Sequence, residues 1–408
     1  MVKLIFIILV IPLNGMAESF TQGQISFEYR RFEDDMTSET HDEQISVFSR
    51  IDTKYQQAKN KFVLRAYARV HSGKSGQDIV VAEDLYYSTE VKDFIELGAG
   101  YKIYNWSNLE VFRPADTVNS KNLDTDIEKF EKIGELSLYA NMFMPNGQLS
   151  IYFFPKSADP LFPTKESRFG LNIPVEDPIW VDKDGHTSNW NNSGAIRFTQ
   201  SLGAVDFQAH ILNHYDRDYF ILGLNDELAV VPYFFRVNES SVGLQHSADQ
   251  YLTKFEVTHK NYQDESEVLS IVGTAVKPKD FSVAALGLEY DQSFDHGSTG
   301  KILIEYQRIL GVSLYERSIL SVFQNDLFVN YSYNLNDTMG TQLSLGSFID
   351  LERSHEFLHI ATYTRRLSNT WKYNINMRLF DAPIKSSPDG MEILNQSDSL
   401  SFSLDRFF

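Results

Sequence analysis

Thr370–Pro383 reads TWKYNINMRLFDAP, and its alternation raises the question that decides the fold. Trp371, Tyr373, Ile375, Met377 and Leu379 are apolar or aromatic, with Lys372, Asn374, Asn376 and Arg378 between them. A period of two puts the first set on one face of a strand and the second on the other. A soluble β-sandwich alternates in this way with its apolar side chains turned inward. A membrane barrel inverts the arrangement, with apolar side chains toward lipid and polar ones toward the lumen. One strand does not separate the two, so the whole chain has to.

The alternation recurs along the sequence. Ile25, Phe27 and Tyr29 alternate with Ser26, Glu28 and Arg30, and Phe62, Leu64, Ala66 and Ala68 with Arg65, Tyr67 and Arg69. Leu136, Leu138, Ala140 and Met142 lead into Pro145-Asn146-Gly147, and Leu149, Ile151 and Phe153 lead out. Val205 to Ile211 and Leu327 to Leu335 repeat the pattern. No helical period of any length interrupts it.

The connections fall into two kinds. Short ones with turn chemistry are Gln57 to Asn60, Val91 to Asp93, Pro145 to Gly147, Leu202-Gly203, Ser247 to Gln250, Asp295 to Gly300, Asn336 to Thr338 and Ser368 to Thr370. Long ones are Glu33 to Glu43, Ser107 to Lys132, Pro155 to Asn192, Tyr215 to Glu227, Asp264 to Lys279, Val312 to Asn325 and Ala382 to Ser397. Short and long alternate, as tight periplasmic turns and long external loops do. A sandwich has no reason to sort its loops by parity. The expectation is an all-β fold: a single transmembrane antiparallel β-barrel of about 18 strands. Sixteen is the alternative, because 264–291 and 310–327 read ambiguously. Trp371, Tyr373, Tyr331 and Tyr333 adjoin short turns, where amphipathic rings suit a membrane interface.

The ends agree with export. Lys3, the apolar run Leu4 to Leu13 and Gly15-Met16-Ala17 read as a signal peptide over 1–17, cleaved after Ala17. The apolar run is about half of the ~20 residues a spanning helix needs. The mature chain, 18–408, is expected to enter its first strand near Gln24, leaving no room for an N-terminal plug. The composition looks soluble, with mean hydropathy −0.29 and 23% charged residues. A polar-lined barrel gives the same average, because only alternate residues meet lipid. A net charge of −18 argues against nucleic-acid partners, and the lack of cysteine removes disulfide and thiolate chemistry. The C-terminal SLSFSLDRFF places Leu400, Phe402, Leu404 and Phe408 on one face. It resembles the strand by which outer-membrane barrels are recognised by the assembly machinery, although Arg406 departs from that pattern.

Tyr104–Leu123, YNWSNLEVFRPADTVNSKNL, carries Trp106-Ser107, then Phe112-Arg113-Pro114-Ala115-Asp116, then Asn119 and Asn122. This run resembles a signature in a porin-like outer-membrane family of largely uncharacterised function. The resemblance implies a barrel in the outer membrane of a Gram-negative bacterium and supplies no substrate. The segment is the third external loop, and in general porins that loop folds into the barrel and narrows the pore. On that reading 107–132 is an inward-folded constriction in which Glu110, Arg113, Asp116, Lys121, Asp124, Asp126 and Glu128 set the charge. With Glu131, Lys129 and Lys132, six acids face four bases, so cations should be favoured. A solvated outer loop is the other reading. Arg65, Arg69, Lys102, Lys372 and Arg378 fall on the predicted lumen face, either as a basic wall or as partners of neighbouring acids.

Other chemistry is weaker. His210 and His214, near Asp216 and Asp218, could form a metal or protease-like cluster, but lumen hydrogen bonding accounts for them more simply. His246-Ser247 reads as a turn. Asp182-Lys183-Asp184-Gly185 resembles part of a calcium loop but lacks the third carboxylate and the Glu at position 12. The expectation is therefore a passive pore for small hydrophilic solutes, with no turnover, cofactor or metal. Its partners are outer-membrane lipid, the assembly machinery and small solutes, with a homo-oligomer left open. A substrate-specific or hydrophobic-compound transporter is the alternative. A barrel enzyme or a surface receptor ranks lower.

Overall fold

The computed structural model describes residues 18–408 apart from 34–39, 74–75, 171–172, 183–186, 188–189, 226, 265, 272, 354, 384–389 and 396. The signal segment 1–17 and the core of the calcium-like stretch lie outside the described residues. The barrel strands are β1 (Glu18–Phe32), β2 (Glu43–Gln57), β3 (Asn60–His71), β4 (Ile79–Lys92), β5 (Ile95–Lys102) and β6 (Glu135–Met144). They continue as β7 (Gly147–Phe154), β8 (Ser193–Leu202), β9 (Val205–Tyr215), β10 (Val230–Ala248), β11 (Tyr251–Tyr262) and β12 (Phe281–Ser293). The last six are β13 (Thr299–Leu310), β14 (Asn325–Asn334), β15 (Gln342–Asp350), β16 (Phe357–Arg366), β17 (Trp371–Asp381) and β18 (Ser399–Phe407).

Each strand pairs antiparallel with the next, and β18 pairs back onto β1 from Gln24↔Phe407 to Phe32↔Ser399. The sheet therefore has no free edge, and eighteen is the strand number. Closure gives each strand a hydrogen-bonded neighbour on both sides, which a strand wall needs where no water reaches it.

The faces follow the sequence period. Ile375, Met377 and Leu379 are 38–40% exposed and point outward, as a surface meant for lipid should. Between them the polar set bonds inside: Asn374 donates to Ser403 at 2.9 Å and to Asp405 at 2.8 Å, and Thr362 donates to Asn376 at 2.9 Å. The apolar side of TWKYNINMRLF is the outside of the barrel.

Three details differ from the sequence expectation. The first strand begins at Glu18, six residues before Gln24, because all of 18–31 pairs with β2. Two external connections, 72–78 and 351–356, are too short to read as long loops; with the seven long ones they complete the nine that eighteen strands require. β10 runs on to Ala248, so His246 is a strand residue paired with Thr253 and the turn lies beyond it.

One irregularity re-aims side chains. The β3–β4 register shifts between Arg65 and Ala66, so that Arg65 faces Asp84 and Ala66 faces Ala82. The extra residue is Glu83. A bulge breaks strict alternation, and the adjacent Glu83 and Asp84 are both buried.

Candidate functional site

The interior is organised by residues 103–134, which bond to strands on several sides of the barrel. Two aromatic side chains seat this segment. Trp106, 2% exposed, packs with Tyr104 of the same segment and with Tyr139, Tyr152, Phe154 and Leu212 on the β6–β9 wall. Phe112, 3% exposed, packs with Leu303, Phe328, Phe348 and Leu358 on the β13–β16 wall, its ring 5.8 Å from that of Phe348. Burying one such ring contributes about 1.5–3 kcal/mol. Two of them hold the segment against separate walls.

Between the two rings the backbone leaves its amides without a ladder, and the wall supplies acceptors. Glu256 of β11 accepts from the Ser107 hydroxyl at 2.7 Å and from the Asn108 amide. Glu305 of β13 accepts from the amides of Glu110, Val111 and Phe112 at 2.7, 2.9 and 2.9 Å. A buried amide must be paired, and bonds to a charged acceptor are worth about 1.5–3 kcal/mol each. Further on, Thr117 donates to Glu239 of β10 at 2.8 Å, and Arg217 donates to the Val118 carbonyl.

The far part of the segment meets the opposite strands through ion pairs. Asp126 bridges Arg30 of β1 at 2.9 Å and Arg378 of β17 at 2.6 Å. Glu128 also pairs with Arg378, at 2.7 Å. Glu131 accepts from Arg69 of β3 at 2.8 Å and from the Tyr67 hydroxyl at 3.0 Å. Burial alone would raise the Glu131 carboxyl, but Arg69 outweighs it and holds the group below the ordinary carboxylate range. Asp124 makes no ion pair among the described residues, and Arg69 and Arg30 act on it only from a distance. It accepts from Ser167 and from the Gln77 amide, and burial pushes it up.

The remaining expected residues divide as follows. Asp116 is buried and paired with Lys132 at 2.5 Å. Lys121 pairs with Asp218 at 2.7 Å, and Glu110 with Lys254 at 3.1 Å. Arg113 is exposed and donates to the carbonyl of Glu110 at 2.9 Å. Arg65 meets Asp52 and Asp84 at 3.1 and 3.2 Å on the wall itself. Lys372 stands opposite Asp405 in the β17–β18 register, away from the loop. Lys102 lies among tyrosine rings. Phe402 and Phe408 are exposed on the outer face, and Leu404 pairs with Phe27 at the β1–β18 seam.

The histidines also pair inside. His210 and His214 approach Glu239 at 3.1 and 3.2 Å, and Lys260 reaches Glu239 at 3.0 Å and Asp216 at 2.9 Å. Asp218 is drawn off to Lys121. Among the described residues, no three His, Asp or Glu converge to hold a metal ion.

Sequence reasoning missed Glu256, Glu305 and Glu239, as well as Arg30. A signal existed for the first two. Each is a lone acid at an inward position, between Phe255 and Val257 or between Ile304 and Tyr306. What could not be read was that loop amides would be their partners.

No family model matches the chain, and no curated protein matches it. Several solved structures are similar. A triple mutant of the Rh. blastica porin shares 11% identity over 96% of this chain and 100% of that chain, with a TM-score of 0.46. OmpF of Salmonella typhi, in complex with daunomycin, shares 10% over 96% and 97%, with a TM-score of 0.48. An OmpT loop-deletion mutant of Vibrio cholerae, an outer membrane protein, shares 9% over 96% and 99%, with a TM-score of 0.45. What defines the present barrel is its own closed strand pairing.

Proposed function

We propose that this barrel is an outer-membrane pore through which small hydrophilic solutes diffuse passively, with residues 107–132 forming its constriction. The observation that carries the reading is the bonding of that loop to inward-facing residues of β1, β3, β10, β11, β13 and β17. A loop bonded to so many strands occupies cross-section inside the barrel, and a polar-walled lumen with a narrowed section is what a size-limited pore needs. The exported location in a Gram-negative outer membrane and the role of Phe402, Leu404 and Phe408 as an assembly signal belong to the same proposal.

The pairing changes the expected charge preference. Asp116, Asp126 and Glu128 are matched by Lys132, Arg30 and Arg378, so their charges are neutralised locally and do not act as an acidic excess. The test is conductance of the purified protein in a planar bilayer. Stable single-channel currents with a solute size limit support the reading; a tight membrane at all protein concentrations refutes it.

A further inference from the structure

The inward-facing cations are not all alike. Arg30, Arg50, Arg65, Arg69, Lys254, Lys260 and Arg378 each lie within hydrogen-bond distance of a carboxylate. Lys61 of β3, Lys102 of β5 and Arg197 of β8 have no carboxylate partner among the described residues. All three are half-buried.

Aromatic rings hold them instead. The Lys61 and Lys102 ammonium groups lie over the same Tyr86 ring, at 5.5 and 4.8 Å from its centre. Lys102 also lies 4.6 Å from Tyr139 and 5.8 Å from Tyr104. Gly98 makes this possible, since a β-carbon there would stand 2.1 Å from the Tyr139 ring. Tyr139 leads to Tyr152 and on to Trp106, with ring centres 6.4 and 5.3 Å apart, and Arg197 lies over Trp106 at 5.8 Å. Arg197 otherwise donates to Gln208, a neutral acceptor, at 2.8 Å.

A ring face attracts a cation but does not neutralise it. The acids nearby offset this charge only in part: Glu96 accepts from the neutral Asn141 amide at 2.8 Å and keeps its charge, Asp84 is bonded to Arg65, and Arg197 reaches Glu256 only through Gln208. Two like charges over one ring, with a third along the same aromatic row, outnumber the carboxylates that Asn141 and Gln208 hold nearby, so a net positive charge is left in a confined lumen. The rings themselves are buried (Tyr86 7%, Tyr139 4%), so a passing solute meets the charged ends and not a stacking face.

We propose that Lys61, Lys102 and Arg197 form an anion subsite on the lumen wall beside the root of the third loop, taking small carboxylates or phosphates in transit. Lysine and arginine in a narrow passage favour anions, and the effect exceeds that of a surface patch because the local dielectric is lower. The proposal rests on the pore reading and can fail separately from it.

The experiment measures block of the potassium chloride current by inorganic phosphate and by citrate in a planar bilayer. It compares wild type with Lys61→Gln/Lys102→Gln, Arg197→Gln and the charge-keeping Lys102→Arg, each first shown to be folded by its heat-dependent gel shift. Wild type and Lys102→Arg should be blocked alike, with several-fold weaker block in the two neutralised variants. Equal block in all four overturns the subsite and leaves the pore standing. If wild type carries no current, the pore reading falls, and equilibrium dialysis of phosphate against the detergent-solubilised proteins decides the subsite. Several-fold weaker binding by the neutralised variants then supports it, and equal binding overturns it.

Discussion

Gly23 and Phe408 exchange both of their backbone hydrogen bonds: Gly23 donates to the Phe408 carbonyl at 2.8 Å, and Phe408 donates to the Gly23 carbonyl at 3.1 Å. They are the last contact of the seam that closes the barrel. The Phe408 ring lies where a side chain at position 23 would be, 2.2 Å from an ideal β-carbon. A ring lying over a strand glycine covers backbone that would otherwise face the surroundings.

Gly23→Val should therefore displace the ring and loosen the seam. The readout is the fraction of protein that runs as the compact, heat-shifting form after refolding, expected to fall against wild type, with deletion of Phe408 falling further. Unchanged yields in both variants would remove the seam from the account of assembly.

Charge should be tolerated differently on the two faces of β17. Ile375→Arg places a guanidinium on the outer face and should cost about 2–4 kcal/mol if that position is near mid-bilayer. Asn376→Arg faces inward, loses one hydrogen bond with Thr362, and should cost little while altering conductance. Equal unfolding free energies in lipid would show the faces to be assigned the wrong way round.

Glu305→Ala removes the acceptor of three consecutive loop amides. The barrel should still form, because the strand ladder is untouched. The loop should become accessible to protease between Asn108 and Arg113, and channel currents should grow noisier. A loop as protected as in wild type would mean that Phe112 alone holds it.

The Arg69–Glu131 pair gives a direction with pH. The folded carboxyl lies below its unfolded value, so the unfolded state binds the proton first as pH falls. The pair's contribution is complete above the ordinary carboxylate range, near about 4.3, and is lost as pH drops through the folded value. Protection of the 122–132 amides, taken relative to intrinsic exchange at each pH, should fall over that acid window in wild type and be flat there in Glu131→Gln. Protection that rises on acidification would reverse the sign.

How much of this was legible in the sequence depends on whether the information is local. The faces of β17 were, because a two-residue period needs only Trp371 to Leu379 to express itself. Strand number followed from turn chemistry at eight places. Two external connections escaped notice because six or seven residues look like a turn. Glu83 was beyond reach, since a bulge appears only when β3 and β4 are paired. For the loop, its charges were visible but their partners were not. Asp126 and Arg378 are far apart in sequence, and nothing in either neighbourhood names the other. An acidic surplus counted along the chain thus became a set of ion pairs in space.

Asp126 takes one guanidinium from β1 and one from β17, the strands on either side of β18. It therefore spans the closing seam from within, as a splint spans a join. Peeling β18 from β1 moves Arg30 and Arg378 apart, so opening the seam takes this carboxylate away from at least one of them. A residue that belongs to neither edge thus opposes separation of the two, and the barrel's lifetime against unzipping should shorten in Asp126→Asn even though every strand–strand bond is retained.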